Sequence, residues 1–486
     1  MEREDVVASI IGVLVAVCMG LLALGPVVYV YKNGFAAIRP GKEDGAKNWA
    51  EDSAADLKRE ADVERQITEL GLRQRYTVVP FFEGSRQTLY TLRDFATVEA
   101  RLAAQFAKSD QYERFNYGRC IGDLCDIRAG DDPKAMEGVL NEWVVAYPNS
   151  YRARLVRGRF HVDYAWVYRG GSLARDVSAS SFEGFHRHLE LAEADLTAAR
   201  DMEPSDPNAS VSMISIAMGR GEPDARVMDH YSKAIAVDPL NFMARLRLLT
   251  ARLPQWGGSW EEVDAIMAES ARSSAAFPML GLMEREGARL MRTRSEKHKD
   301  ALDSEDVKRR WVEPYLAQLK VSPGAPLLET NAAFYAAEGG DYALAETYFR
   351  KLGDTYYEGN GSFEHVLEYN NYRGYVYAFM ANAMAPGDER SVRIKEALDL
   401  APNHYYTNYI YGMELFDKGD HAGSKPYMEK SRDVYPGYVW STCRLAEIAE
   451  KAGQRDEAVR LARAVFDLEP EQIQMDHAQA IIDRNR

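Results

Sequence analysis

Residues 369–402 read YNNYRGYVYAFMANAMAPGDERSVRIKEALDLAP, residues 403–436 read NHYYTNYIYGMELFDKGDHAGSKPYMEKSRDVYP, and residues 437–470 read GYVWSTCRLAEIAEKAGQRDEAVRLARAVFDLEP. The three stretches have equal length and end on prolines that are 34 residues apart, Pro402, Pro436 and Pro470. A proline cannot continue a helix, because it lacks the backbone N–H and its ring clashes with the preceding turn. The period therefore predicts a repeated helical unit that each proline terminates.

Aligning the stretches on their prolines brings residues of the same kind into columns. Gly419 and Gly453 fall at the turn between two helices, and the small residues Ser424 and Ala458 follow five positions later. Arg390 stands where the first stretch should have its small residue, so that repeat is irregular. The large and small residues of the first helix form these columns: Tyr372, Tyr406 and Trp440; Tyr375, Tyr409 and Cys443; Tyr377, Tyr411 and Leu445; Ala378, Gly412 and Ala446.

A helix-turn-helix period of 34 residues with these columns resembles the tetratricopeptide repeat, over about residues 327–475. The resemblance implies an α-solenoid in which the first helix of each pair lines a concave groove. It also implies that partner contacts lie in two of the columns. Those groove positions are Tyr372, Tyr375, Tyr406, Tyr409 and Trp440. The alternative is that these aromatic side chains pack between helices as core, as aromatic stripes at helical spacing usually do.

The composition is that of a folded, acidic protein. Of its 486 residues, 46% are hydrophobic, and 60 Lys+Arg stand against 74 Asp+Glu, giving a formal net charge of −14. So much apolar material excludes a disordered or fibrous chain. The acidic balance repels phosphate backbones, so we expect no nucleic-acid partner. Four cysteines are too few for a disulfide framework in a chain of this length.

The N-terminal residues 6–31 contain no charged side chain. About 20 apolar residues cross the roughly 30 Å hydrocarbon core of a bilayer as a helix, and residues 6–24 provide this length before Gly25 and Pro26. We therefore predict a transmembrane anchor over residues 6–31. A signal peptide cleaved near Ala23 is the alternative, which the acidic start and the length of the apolar run disfavour.

Basic residues are distributed unequally around this segment. Arg3 precedes it, whereas four basic residues follow it: Lys32, Arg39, Lys42 and Lys47. Because the more basic flank of a transmembrane helix tends to stay in the cytoplasm, we expect a single-pass protein of the inner (cytoplasmic) membrane with its soluble part in the cytoplasm.

The rest of the chain is predicted to be helical, apart from its first section. The stretch 75–82 is the best strand candidate, although one strand does not make a sheet. From Asp94, a candidate N-cap, apolar residues recur at helical spacing, and Ser259 with Glu262 forms a capping box. The predicted fold is thus an all-α solenoid of tetratricopeptide-like hairpins behind the anchor. Its predicted parts are a linker over 32–55, an irregular connecting region over 56–93, a helical domain with degenerate repeats over 94–326, and the tetratricopeptide-like repeats over 327–486.

The middle region, roughly residues 94–293, resembles a bacterial domain family of unknown function. The residues that carry this resemblance are Tyr147-Pro148-Asn149-Ser150-Tyr151, Ala165-Trp166, Arg169-Gly170 and Trp256-Gly257-Gly258-Ser259. The resemblance implies a fold and no activity. A second candidate site, for a small ligand or a reaction, consists of Trp166, Arg169, Trp256 and Trp260. The alternative for its last part is a tight turn that feeds a capped helix.

Local signatures of catalysis are absent from the sequence. No Gly-Xaa-Ser-Xaa-Gly elbow, no phosphate-binding Gly-rich loop and no metalloprotease helix motif occurs. Cys120 and Cys125 have no second ligand pair at zinc-site spacing. His186 and His188 are two residues apart on a predicted helix and point in different directions, so they cannot share a metal. We therefore predict no enzyme activity, no cofactor and no metal.

Arg152, Arg154, Arg157 and Arg159 form a basic cluster in this acidic chain. Two interpretations stay open for it: a helix face paired with acidic residues of a neighbouring helix, or a site for an anion or acidic peptide.

These patterns favour a membrane-anchored scaffold that binds a protein or peptide partner in a concave groove. Two alternatives remain: a ligand-binding or enzymatic middle region, and a structural subunit of a cell-envelope complex.

Overall fold

The fold is built from helices that cluster into two units. The computed structural model describes residues 45–75, 77–80, 84–128, 130–170, 174–292, 309–358 and 365–485. An N-terminal unit extends to Gly339 and also includes Tyr357 and Glu358, and a C-terminal unit begins at Gly340. The predicted anchor over 6–31 lies outside the described residues. In the part of the chain that is described, no helix is both long enough and apolar enough to cross a bilayer.

The N-terminal unit is a succession of helices joined by short turns. Its helices are α1 Gly45–Glu69, α2 Leu72–Arg75, α3 Phe95–Phe106, α4 Gln111–Cys125, α5 Pro133–Ala146, α6 Tyr151–Arg169, α7 Ala179–Met202, α8 Asn208–Gly219, α9 Asp224–Val237, α10 Phe242–Ala251, α11 Trp260–Ser273, α12 Leu282–Arg292, α13 Glu313–Val321 and α14 Pro326–Glu338. Helix α1 begins inside the stretch predicted as a linker, and Gly339 lies beyond the domain boundary predicted at residue 326.

Side-chain caps determine where many of these helices begin. Asp94 accepts a hydrogen bond from the backbone N–H of Thr97, which confirms the predicted start of α3. The predicted capping box at the start of α11 is also present, because Ser259 and Glu262 exchange hydrogen bonds with each other's backbone N–H groups. These caps satisfy N–H groups that would otherwise lack an intrahelical partner.

Helices α6 and α7 form the central pair of the N-terminal unit. Gly158 lies on the side of α6 that faces α7, where an added Cβ would be only 2.8 Å from Cγ of Leu196. Buried Phe160 and Leu189, together with Trp143 of the preceding helix, belong to the same apolar core. The missing side chain at Gly158 thus permits a close approach that an alanine would obstruct.

The strand prediction is confirmed in shortened form. Strand β1 covers Thr77–Pro80, inside the predicted stretch 75–82, and pairs with strand β2, Thr355–Glu358. The described residues are therefore predominantly, but not entirely, helical.

The C-terminal unit contains the predicted hairpins. Its helices are α15 Tyr342–Leu352, α16 Val366–Asn382, α17 Asp388–Leu400, α18 Tyr405–Asp417, α19 His421–Val434, α20 Val439–Lys451, α21 Arg455–Val465 and α22 Gln472–Arg484. Each 34-residue stretch thus folds as two helices. The turn residues Gly419 and Gly453 have φ angles of 84° and 73°, which suit glycine.

The small-residue column marks where the two helices of a hairpin meet. Ser424 and Ala458 are fully buried, and the Ser424 hydroxyl donates to the carbonyl of Gly412 over 2.7 Å. Arg390 occupies the same column and is also buried, but its guanidinium pairs with Glu414 of the following hairpin over 2.5 Å. Ser391 and Lys418 complete the hydrogen bonding of that carboxylate. The irregular repeat thus replaces small-residue packing with a buried ion pair between hairpins.

Replacing Arg390 with alanine is predicted to destabilise the chain, because it leaves Glu414 buried with fewer partners. We expect Arg390→Ala to lower the free energy of unfolding by about 2–3 kcal/mol, less than for a fully isolated charge because Lys418 remains. The double variant Arg390→Ala/Glu414→Gln should recover at least half of that loss, as measured by urea denaturation. A double variant no more stable than the single variant would contradict the ion-pair interpretation.

Candidate functional site

The predicted groove residues divide into a buried and a half-buried set. Tyr406 is only 1% exposed, and Tyr375 and Tyr409 are each 8% exposed. These three side chains therefore lie in the core, which is the alternative that the aromatic columns left open. Tyr372 and Trp440 are half-buried and keep surface that a partner could reach.

The buried rings connect successive hairpins. Tyr342 contacts Tyr375 with ring centroids 5.6 Å apart, Tyr375 contacts Tyr406 at 5.1 Å, and Tyr406 contacts Tyr438 at 6.2 Å. We call these four residues the aromatic ladder. The hydroxyls of Tyr342 and Tyr375 are 3.3 Å apart, so the polar ends of the first two rings are also paired. Because such ring pairs are favourable beyond their buried area, the ladder stabilises the contact between hairpins.

The last part of the repeat region presents a mixed aromatic and charged surface. Arg444, one helical turn after Trp440, lies over the rings of both Trp440 and Phe416, 5.7 Å and 5.8 Å from their centroids. Its guanidinium also pairs with Glu447 over 2.5 Å, and His477 of α22 contacts the same carboxylate at 3.1 Å. We call Trp440, Arg444, Phe416, Glu447 and His477 the Trp440 cluster; all five are half-buried.

Charge balance holds the Trp440 cluster in place. Burial raises the pKa of Glu447, but the hydrogen bond from His477 and the charge of Arg444 outweigh it and hold this pKa at about 2. Glu447 therefore stays ionised at neutral pH and anchors the guanidinium. The cluster presents a tryptophan beside an arginine whose position is fixed, a combination that is enriched at the energetic centres of protein interfaces.

The second candidate site is brought together in part. The rings of Trp166 and Trp256 meet edge-to-face with centroids 5.3 Å apart, and Trp166 also contacts Phe185 at 5.1 Å. Both tryptophans pack on an apolar cluster of helices α8 to α10. Burial lowers the pKa of Arg169, which donates to the carbonyl of Gly170. Both tryptophans are half-buried and pack against the edge of this apolar cluster.

The segment before α11 is the tight turn that leads into a capped helix, which was the alternative to a ligand site. Gly257 has a φ angle of 92°, a backbone conformation that favours glycine. A Cβ at Gly258 would lie 2.2 Å from the carbonyl oxygen of Arg252, so only glycine fits there. Trp260 is the first residue of the capped helix and is half-buried.

The arginine cluster is paired with acidic residues. Arg157 binds Asp195 of α7 through two nitrogens at 2.6 and 2.7 Å, and Arg154 approaches the same carboxylate at 3.7 Å. Arg159 pairs with Asp163, and Arg152 lies 3.8 Å from Glu99. Three of the four arginines thus pair with acidic residues of neighbouring helices and Arg159 pairs within its own helix, which favours the paired helix face over the anion site.

The candidate cysteines and histidines lie on helices, and His186 and His188 point in different directions, as predicted. Cys120 and Cys125 lie on helix α4, and both are buried. Burial raises the pKa of the Cys120 thiol to about 12, which disfavours the thiolate needed for metal binding. His186 is exposed, whereas His188 is buried and faces His161, 27 positions earlier on helix α6.

Sequence reasoning missed this histidine pair. The Nδ1 atoms of His161 and His188 are 3.1 Å apart, and Glu137 of helix α5 lies beside them. Burial lowers the pKa of His161 to about 3 and that of His188 to about 4, so both are neutral at pH 7. The three residues come from three helices, and no local spacing in the sequence indicates that they meet. An apolar helix face interrupted by a histidine in both α6 and α7 was the available signal.

One part of the chain matches a known protein family. A family model described as Domain of unknown function (DUF4034) matches residues 95–228. The middle of the chain is similar to an uncharacterised family. This agrees with the predicted resemblance, over a shorter stretch than residues 94–293, and it includes the histidine pair but not Trp256. No curated protein sequence matches the chain.

Several solved structures are similar to the chain at low identity. Yeast Tom70 is 11% identical over 83% of this chain and 96% of its own, with a TM-score of 0.30. The TPR domain of P58(IPK) is 13% identical over 77% and 99%, with a TM-score of 0.26, and the human IFIT1 dimer with m7Gppp-AAAA is 12% identical over 89% and 91%, with a TM-score of 0.27. With TM-scores this low, the helical-repeat assignment rests on the hairpins of the C-terminal unit themselves.

We expect buried His404 to make the stability of the C-terminal unit sensitive to acid. It caps helix α18 by accepting the backbone N–H of Tyr406, and its ring packs 4.8 Å from Tyr405 and 5.6 Å from Tyr375. Burial lowers the pKa of His404 from 6.5 to about 4. Between these values the unfolded chain binds a proton that the folded chain does not, so stability falls as the pH falls through this window.

The variant His404→Asn tests this sensitivity, because asparagine can still cap a helix but does not titrate. Between pH 7 and pH 4.5 we expect the parent to lose up to about 2 kcal/mol more unfolding free energy than the variant, as measured by urea denaturation at both pH values. Equal losses in the two proteins would show that His404 does not contribute to acid sensitivity.

Proposed function

We propose that this chain is a membrane-anchored scaffold whose C-terminal hairpins bind a protein or peptide partner. The Trp440 cluster is the observation that supports the partner site best. A half-buried tryptophan held between an arginine and a histidine offers a large, rigid contact area at little entropic cost, and such residues dominate binding energy at interfaces. Tyr372, half-buried on the first helix of an earlier hairpin, extends the proposed surface.

The proposed anchor over residues 6–31 would act together with this site. Tethering to a membrane confines binding to two dimensions and raises the local concentration of the scaffold near other membrane proteins, so modest contacts produce useful avidity. The acidic balance of the chain favours basic or neutral partners over acidic ones. We place the anchor in the inner membrane with the helical units in the cytoplasm, on the asymmetry of basic residues around it.

Two variants of the full-length chain test the partner site. Trp440→Ala removes the tryptophan of the Trp440 cluster. The control Tyr427→Ala removes a half-buried tyrosine on the second helix of a hairpin, where its ring packs against Tyr411 of the first helix. The tagged chains are extracted in mild detergent from carbonate-washed membranes, and co-purifying proteins are quantified. We expect Trp440→Ala to reduce recovery of the partner at least tenfold, and Tyr427→Ala to leave it within twofold of the parent.

Three results would contradict the proposal. If the carbonate wash released the parent chain from the membranes, the proposed anchor over residues 6–31 would be contradicted. Full partner recovery with Trp440→Ala would remove the Trp440 cluster as the partner site. Equal loss with both variants, at unchanged helicity by circular dichroism, would show that the surface of the second helices contributes as much as the groove side.

A further inference from the structure

Three helices of the N-terminal unit converge on a cluster of metal-ligating side chains. Glu137 comes from α5, His161 from α6 and His188 from α7, and one ligand atom of each lies within 4.8 Å of the others. His161 is 3% exposed and His188 is 2% exposed, while Glu137 is half-buried at the edge of the cluster. Within the described residues, this is the group of three that could hold a metal ion.

We propose that Glu137, His161 and His188 bind a divalent transition-metal ion of the zinc type. Two imidazoles and one carboxylate are a ligand set that Zn²⁺ and its first-row neighbours use, and hard ions such as Mg²⁺ and Ca²⁺ prefer oxygen ligands throughout. This proposal replaces the sequence-based prediction of no metal. The site also goes beyond the proposed scaffold function, because it lies in the N-terminal unit and involves none of the proposed partner-binding residues.

The spacing of the two histidines fits such an ion. With zinc–nitrogen bonds of about 2.0–2.1 Å, two nitrogens of a tetrahedral site are about 3.3–3.4 Å apart. The Nδ1 atoms of His161 and His188 are 3.1 Å apart, so a small movement of the rings would complete this geometry. Glu137 has a flexible side chain and is not fully buried, so its carboxylate can close the remaining distance.

The same spacing also permits a direct hydrogen bond between two neutral imidazoles. The carboxylate distinguishes the two interpretations. A neutral histidine pair needs no acidic neighbour, whereas a divalent cation in a buried site needs a negative ligand to offset its charge. Glu137 provides that ligand, and it lies on a helix different from those of both histidines.

Aromatic rings enclose the cluster. The ring of Tyr164 is 4.3 Å from the ring of His188, that of Tyr168 is 5.3 Å away, and Phe160 lies 5.6 Å from His161. Such walls restrict water and fix the imidazole orientations, which strengthens metal–ligand interactions. Three protein ligands leave a fourth position for water or a ligand group. The bound ion would connect α5, α6 and α7 across the core.

Equilibrium dialysis of the full-length chain against Zn²⁺ tests the site. The chain carries a histidine-free tag, is purified in detergent and is first stripped with a chelator. We expect one Zn²⁺ per chain, with a rise in Tm of about 5 °C at saturating metal. Glu137→Gln should weaken binding at least tenfold, and His161→Phe should abolish it. His186→Phe is the matched control, because His186 is an exposed histidine on the same helix as His188, and its binding should equal that of the parent.

Absence of stoichiometric Zn²⁺ binding by the parent, or unchanged binding by His161→Phe, would overturn the proposal. X-ray absorption of the zinc-loaded parent keeps the test valid if a variant fails to fold. We expect imidazole scattering at about 2.0–2.1 Å and no sulfur scattering at about 2.3 Å. Sulfur ligation would assign the metal to cysteine instead, and a shell of water oxygens alone would show that His161 and His188 do not ligate; either result overturns the site.

Discussion

The contact between successive hairpins is the interaction on which the C-terminal unit depends. A pair of short amphipathic helices cannot bury its own apolar faces, so each hairpin is stable only against its neighbour. In this chain the contact is made by the aromatic ladder, in which Tyr375 of one hairpin packs on Tyr406 of the next. The buried ion pair between Arg390 and Glu414 joins the same two hairpins on a different column. An aromatic contact and an ionic contact thus connect these two neighbouring repeats.

Within the aromatic columns, the buried side chains stabilise the contact between hairpins, and the half-buried side chains are the ones that a partner could reach. Of the tyrosines predicted to contact a partner, Tyr375 and Tyr406 belong to the ladder, and Tyr409 is also buried. The proposed partner contacts therefore fall to side chains outside the ladder, above all Trp440. The ring of Trp440 contacts Arg444 and His477 rather than a tyrosine of the next hairpin. In the N-terminal unit, the arginines of the α6 cluster are paired with acidic residues, and His161 and His188 contact each other.

Much of the fold could be predicted because it follows from local patterns. The 34-residue period predicted the hairpins, the glycines Gly419 and Gly453 marked their turns, and the predicted caps at Asp94 and Ser259 placed the starts of α3 and α11. Helix α3, for example, begins directly after Asp94, the residue predicted as its N-cap. The candidate sites were less predictable. Tyr406 and Trp440 share a column, yet one is enclosed and the other is not, because their exposure depends on which side chains follow in the next hairpin.

The histidine cluster shows why sequence reasoning stops there. His161 and His188 meet because α6 and α7 pack closely at Gly158, and Glu137 joins them from a third helix. None of these relations has a signature within a short window of sequence. The sequence of a helix indicates which of its faces is apolar. Which helix faces pack together depends on tertiary structure, and so does the geometry of any site formed between helices.

Hydrogen exchange of the full-length Tyr406→Ala chain, compared with the parent, tests the dependence between hairpins most directly. If each hairpin is stable only against its neighbours, amide protection should fall in α16 and α17 and in α20 and α21 as well as in α18 and α19, while helices α4 to α7 keep theirs. Loss of protection confined to α18 and α19 would show that the hairpins are independently stable, and would contradict the role given to the aromatic ladder.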